Sequence, residues 1–325
     1  MESGTLPAVP APQRQPQIMR RTQLVLLAIA MAMLAVSLRL CAAQTTPPSL
    51  DNNSDVSNKQ PTPRSNSAAG ASSGEDAAAE NELLAAANKS RELAGAPPLR
   101  MEEGLREAAR AHARCMVEND RLEHQLSGEP SLMQRIALVS SPDGGLKIDR
   151  AGENIAYASD AAVANDALMR SPPHRVNLLD RRFNVAGVAA IWSKGRLYVV
   201  QDFAHEVPSY SAQQTGKLVS RAIGEIRQQA GLSELVQLTG PDLDEAACSL
   251  SRESRPNAHL LDTAYDNKNA NRKTITYTQS RPEVLPQAAL SMLRDRGVRE
   301  FAVGACYARN AAYPTGMYWV AILLY

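Results

Sequence analysis

Ala151-Gly152-Glu153-Asn154-Ile155-Ala156, a helical run over 161–169, and Ser171-Pro172-Pro173-His174-Arg175-Val176-Asn177-Leu178-Leu179 form the part of this sequence that decides its fold. The Ser171-Pro172-Pro173 step halts the helical run. Downstream, Val185-Ala186-Gly187-Val188-Ala189-Ala190 and Arg196-Leu197-Tyr198-Val199-Val200-Gln201-Asp202-Phe203 flank a Lys194-Gly195 turn and predict the two strands of a hairpin. Upstream, Leu83, Leu84, Ala87, Arg91 and Leu93 recur near helical spacing until Gly95 and Pro97-Pro98 end the run. Between these, Glu102 to Glu123 is rich in Ala, Leu, Glu and Arg and lacks Pro, which predicts a second, longer helix with His124 at or just past its end. Helices come first and strands last.

In this order the blocks resemble the bacterial type of the CAP superfamily, the group named for cysteine-rich secretory, antigen-five and pathogenesis-related proteins. The resemblance rests on Asn88 to Arg91, Ala96-Pro97-Pro98-Leu99, the Ala-rich helix before His124, Gly152-Glu153-Asn154-Ile155-Ala156, Ser171 to Leu179, and Val200-Gln201-Asp202-Phe203. It implies an α+β fold, a three-layer α-β-α sandwich with a central antiparallel sheet, spanning 80–207.

The resemblance also implies a cleft with two histidines and a glutamate, here His124, His174 and Glu153. Two neutral imidazoles suit a divalent ion such as zinc, and a nearby carboxylate can orient a ring or hold a metal-bound water. A second family glutamate has no counterpart in Leu168-Met169-Arg170-Ser171, so a His-Glu-His cluster remains. Each residue also has a plainer role: His124 as a helix C-terminal cation, His174 as a hydrogen-bonding group at a helix start, Glu153 as an acceptor for backbone donors in a turn. His112, inside the long helix, reads as a packed or half-exposed side chain, and His205 and His259 take no role. Ser171 finds no acid to complete a serine triad.

From Gln213 the order repeats. Ser220 to Leu232 resembles Leu83 to Pro97, Asp242 to Cys248 echoes Glu103 to Ala109, and Phe301 to Cys306 with Met317 to Leu324 parallels the first hairpin. This predicts a second α+β domain over 213–325, a degenerate CAP-like copy without the two motif blocks; the alternative is an unrelated α+β domain of similar order. Cys248 and Cys306 fall on its predicted helix and strand and are the candidate disulfide, while Cys115 reads as a buried free thiol.

At the N-terminus, Arg20-Arg21, an uncharged apolar run from Thr22 to Leu38 and the small residues Cys41-Ala42-Ala43 give 1–43 the order of an export signal, cleaved or kept as an anchor. Residues 44–79 are rich in Ser, Asn, Pro, Ala and Gly and read as a flexible tether. The mixed charge, 35 basic against 34 acidic residues, gives no footprint for nucleic acid. An exported, non-enzymatic binding module is the leading functional reading, with a small apolar ligand or a divalent metal in the His-Glu-His cleft and a partner engaged by the second domain. A zinc-dependent hydrolase with Glu153 as base is the alternative, and a structural envelope protein the third.

Overall fold

The computed structural model describes residues 74–140, 146–238, 243–252 and 273–325; the expected signal segment, nearly all of the tether, Cys41 and His259 lie outside them. Among the described residues no helix is long and apolar enough to cross a membrane.

The first half begins earlier than its composition predicts. Strand β1 (Gly74–Glu75) and helix α1 (Ala77–Leu93) occupy the end of the expected tether. Ala77-Ala78-Ala79 reads as low-complexity sequence but has the highest helix propensity, and the Asp76 carboxylate accepts from the Ala79 amide at 3.0 Å to start the helix. After β2 (Arg100–Met101) comes α2 (Glu103–Asn119). It stops short of the predicted Glu123 because Asp120 takes the left-handed conformation, φ 50°. Its carboxylate is held there by Tyr198 Oη at 2.7 Å, Arg196 at 2.9 Å and Lys194 at 3.0 Å. The helix end is thereby tied to a strand turn, and the chain leaves it toward His124.

A short helix, α3 (Leu132–Val139), precedes the long strand β3 (Ile148–Ala158), and two further helices, α4 (Ala161–Arg170) and α5 (Pro172–Leu179), lead into the predicted hairpin β4 (Val185–Ser193) and β5 (Arg196–Glu206). The sheet order is β1-β4-β5-β3, with β2 parallel to β4. On one face Leu105 and Ala108 of α2 and Ile136 of α3 pack with Val185 and Ala204; on the other, Leu83 of α1 and Ala164 and Leu168 of α4 pack with Val188, Ala190 and Val199. These are the three layers, and β3 lies at one edge of the sheet.

The second half repeats the plan. Helix α6 (Ala212–Gln229), β6 (Val236–Gln237), α7 (Leu243–Leu250), β7 (Lys273–Gln279), α8 (Leu290–Leu293), β8 (Glu300–Ala308) and β9 (Met317–Leu324) build a sheet of order β6-β8-β9-β7. Residues of β9 alternate between faces, Tyr318, Val320 and Ile322 toward Val219 and Ile223 of α6, Trp319, Ala321 and Leu323 toward α7. Cys248 of α7 and Cys306 of β8 are joined by a disulfide, their Cα atoms 5.0 Å apart. Serine at both positions is expected to remove about 2–3 kcal/mol by freeing the loop between them in the unfolded chain. A urea midpoint unchanged by the substitutions would contradict this. Cys115 is also disulfide-bonded, a correction to its reading as a free thiol: burial among small residues accommodates either state of the sulfur.

One interaction occurs in both halves. Arg91, buried in α1, donates from Nε to the Pro97 carbonyl at 2.7 Å and from Nη1 to those of Leu178 and Asp180 at 2.8 and 3.0 Å. Arg227 of α6 does the same with Ser233, Leu293 and Asp295 at 2.7, 2.9 and 3.1 Å. Each arginine satisfies three carbonyls from two separate segments that would otherwise be stranded in the interior.

The halves are also joined directly. Lys147, next to β3, lies 3.8 Å above the Tyr307 ring and 3.4 Å from Tyr318 Oη, and burial pushes its ammonium below the usual lysine range. Arg309 donates to the carbonyls of Ala137 and Ser140 at the end of α3, at 3.0 and 3.1 Å.

Candidate functional site

The site lies at the open edge of the first sheet. On β3, successive residues face opposite layers, and the Gly152-Glu153-Asn154 triplet uses this. A Cβ on Gly152 would sit 3.1 Å from the Phe183 ring and 3.3 Å from Asn177 Oδ1, so glycine admits the close approach of α5. Asn154, on the same side, donates to the His174 carbonyl at 3.0 Å, while Asn177 of α5 donates to the Glu153 carbonyl at 3.1 Å and to Asn154 Oδ1 at 3.2 Å. These bonds fix α5, and with it His174, against the strand. Glu153 points to the opposite layer.

There Nδ1 of His124 donates to Oε1 of Glu153 at 2.8 Å, and Arg135 of α3 binds Oε2. The Arg135 and Glu153 side chains are each only 4% exposed. Arg135 also donates to the His124 carbonyl at 3.3 Å and the Pro130 carbonyl at 3.2 Å, so it fixes the loop carrying His124 as well as the carboxylate. His112 of α2, fully buried, brings Nε2 to 3.8 Å from Oε2. Burial alone would push the Glu153 carboxyl up, but the hydrogen bond from His124 and the charges of Arg135, His112 and His124 outweigh it and hold the group below its ordinary range. The His174 ring stands 6.4 Å from that of His124, centroid to centroid. Partial burial, then the His124 charge, pushes its pKa down, which favours the neutral imidazole.

His124, Glu153 and His174 thus meet in space, across the sheet edge. Arg135 and His112 belong with them, although neither stands out in the sequence. The signal for Arg135 is a lone charge in the apolar run Leu132 to Val139; the one for His112 is its place on the buried face of α2, with Leu105, Ala108 and Ala109.

A tetrahedral ion does not fit this arrangement. With metal–nitrogen bonds of about 2.0–2.1 Å each ring centroid lies about 3.2 Å from the ion, so a tetrahedral angle sets the centroids about 5.2 Å apart, against 6.4 Å here. Among the described residues no group of three or more His, Cys, Asp or Glu side chains is placed to hold a metal. Both oxygens of Glu153 are already engaged.

Residues 84–203 match the model of the cysteine-rich secretory protein family, CAP. Among solved structures it is similar to an extracellular protein containing an SCP domain from Bacillus anthracis, at 25% identity over 39% of this chain and 40% of that one, TM-score 0.35. An outer surface protein of Borrelia burgdorferi is 18% identical over 42% of this chain and 100% of its own, TM-score 0.38. A cysteine-rich secretory protein of Staphylococcus aureus is 17% identical over 39% of each chain, TM-score 0.26. The chain spans well under half the length of the Bacillus protein. No curated protein matches it.

Proposed function

We propose that this chain is an exported, non-catalytic binding module whose CAP domain receives a small, uncharged, largely apolar ligand at the His124–His174 rim, while the second half acts as scaffold or docking surface. The observation that carries this reading is the state of Glu153. A general base needs a free lone pair and a pKa near the working pH; this carboxylate is buried, clamped by Arg135 and His124, and held below its ordinary range. It organises the site and takes no proton. The rim fits a neutral ligand, since His174 favours its uncharged form and can exchange a hydrogen bond with a hydroxyl or carbonyl.

Export is supported by the Arg20 to Ala43 pattern and by the two disulfide-bonded cysteines of the second half, which suit an oxidising compartment. A degenerate second CAP-like domain over 213–325 is supported by the like strand orders and by the matched Arg91 and Arg227 bonds. Copying would preserve both, whereas an unrelated α+β domain has no reason to place an arginine on carbonyls at the same spacings.

Fluorescence titration of the full chain with a fluorescent sterol tests the ligand class. Saturable binding, weakened about tenfold or more by a His124→Ala/His174→Ala variant, is the expected result, since losing one hydrogen bond and part of the contact surface is worth about 1.4 kcal/mol. Absence of binding, or binding indifferent to the double variant, would remove the reading.

A further inference from the structure

Away from the histidine cluster, a cavity of about 380 Å³ is lined by four arginines, Arg150, Arg181, Arg182 and Arg281, and by His205. They come from distant segments: Arg150 from β3, Arg181 and Arg182 from the turn before β4, His205 from β5, and Arg281 from just past β7 in the second half. Arg150 and His205 are direct cross-strand partners, so their side chains rise on the same face.

The carboxylates at this cavity are already spoken for. Asp149 accepts from His205 Nδ1 at 2.7 Å and from the Ser280 hydroxyl at 2.9 Å. Asp180 is gripped by Arg182 at 2.6–3.1 Å, and Glu283 takes Arg281 at 3.0 Å. Arg150 and Arg181 make no ion pair and no side-chain hydrogen bond among the described residues; Arg150 acts on Asp180 only through space. Two guanidinium groups therefore face one cavity with no carboxylate bonded to either, the nearby Asp149 and Asp180 being engaged by other donors, which leaves their hydrogen-bonding forks open to solvent or to an anion. A tetrahedral dianion matches both charges, and guanidinium forks bind such oxyanions in a bidentate manner; a single carboxylate would leave one charge unmatched.

We propose that this cavity is a binding site for a phosphoryl group, held by Arg150 and Arg181, with Arg182, Arg281 and His205 forming its walls. It is separate from the sterol-type site of the first cluster and does not depend on it. Because Arg281 belongs to the second half, the site exists only where the two halves meet. The second half thereby gains a role that loss of its own motif blocks does not remove.

Calorimetric titration of the full chain with inorganic pyrophosphate tests this. One saturable site per chain is expected, weakened about tenfold or more in Arg150→Gln/Arg181→Gln, because the charge-assisted bonds of both guanidinium groups are lost. A charge-matched control, Arg221→Gln/Arg294→Gln, changes two exposed arginines elsewhere and should bind as the parent does. Co-sedimentation with phosphatidylcholine vesicles containing phosphatidic acid separates the two sources of the phosphoryl group: retention lost in Arg150→Gln/Arg181→Gln identifies a lipid headgroup, and pyrophosphate binding without retention identifies a soluble ligand. No saturable binding of either probe, or equal weakening by the control pair, would overturn the proposal.

Discussion

Leucine in place of Arg135 is expected to destabilise the chain by about 3–5 kcal/mol near neutral pH, the usual cost of leaving one partner of a buried ion pair uncompensated. Glu153, on β3, would keep His124 on one oxygen but lose the cation on the other, and the carbonyls of His124 and Pro130 would lose a donor. The loss has a characteristic pH dependence. In the parent the folded-state pKa of Glu153 is depressed, so its stabilisation is present above the unfolded carboxyl pKa and is lost as pH falls through the folded value. Without Arg135 one of the charges that offset burial is gone, so the depression of the folded pKa shrinks and the variant has less stability to lose as acid neutralises the group. The gap between parent and variant therefore narrows on going from neutral pH into the carboxyl range. The groups that face Glu153 are His124, His112 and Arg135. Urea unfolding at neutral pH and near pH ~4 reads this directly; an equal gap at both would show that Arg135 acts through packing alone. Replacing both Arg135 and Glu153 with apolar residues should cost less than the arginine change by itself.

Alanine at Gly187 is expected to be still more damaging, about 4 kcal/mol or more, to the point that the chain fails to accumulate in folded form. Gly187 sits on β4 beneath the first turn of α2, where an added Cβ would overlap the Leu105 carbonyl and the Arg106 amide nitrogen. The obstruction is backbone on both sides, so no rotamer relieves it. Helix α2 would have to lift from the sheet, opening the contacts of Leu105 and Ala108 with Val185 and Ala204. Gly304 of β8 holds the same relation to Leu243 and Asp244 of α7, and alanine there should unfold the second half similarly. Circular dichroism melts of the two variants test both, and a melt within a few degrees of the parent for Gly187→Ala would contradict the packing.

Much of the first half is legible in its residues because local chemistry and tertiary structure agree there. The Lys194-Gly195 turn has positive φ at both residues, 49° and 75°, as a two-residue hairpin requires, and Ser171-Pro172-Pro173 both ends one helix and begins the next, with proline in the first turn. The motif residues His124, Glu153 and His174 converge because Gly152 and Asn154 are read by the same helix, α5. What is not legible depends on distant partners. Nothing local to Asn119-Asp120 says that the helix must stop there; the reason is a carboxylate pinned by Lys194, Arg196 and Tyr198. Arg135 is a lone charge in an apolar run, and its value comes from a glutamate on β3. The helix that carries it ends on the carbonyls held by Arg309 of the second half, a contact no local pattern announces.

We propose that the His124–Glu153–His174 cleft is organised around a carboxylate held by Arg135 and His124 rather than around a metal ion. Calorimetric titration of the full chain with zinc at near-neutral pH, alongside His124→Ala/His174→Ala, tests it most directly. No saturable site that depends on these two histidines is expected, since their rings stand 6.4 Å apart and both oxygens of Glu153 are engaged. Binding of about one zinc per chain that disappears in the double variant would contradict it and restore the hydrolase reading.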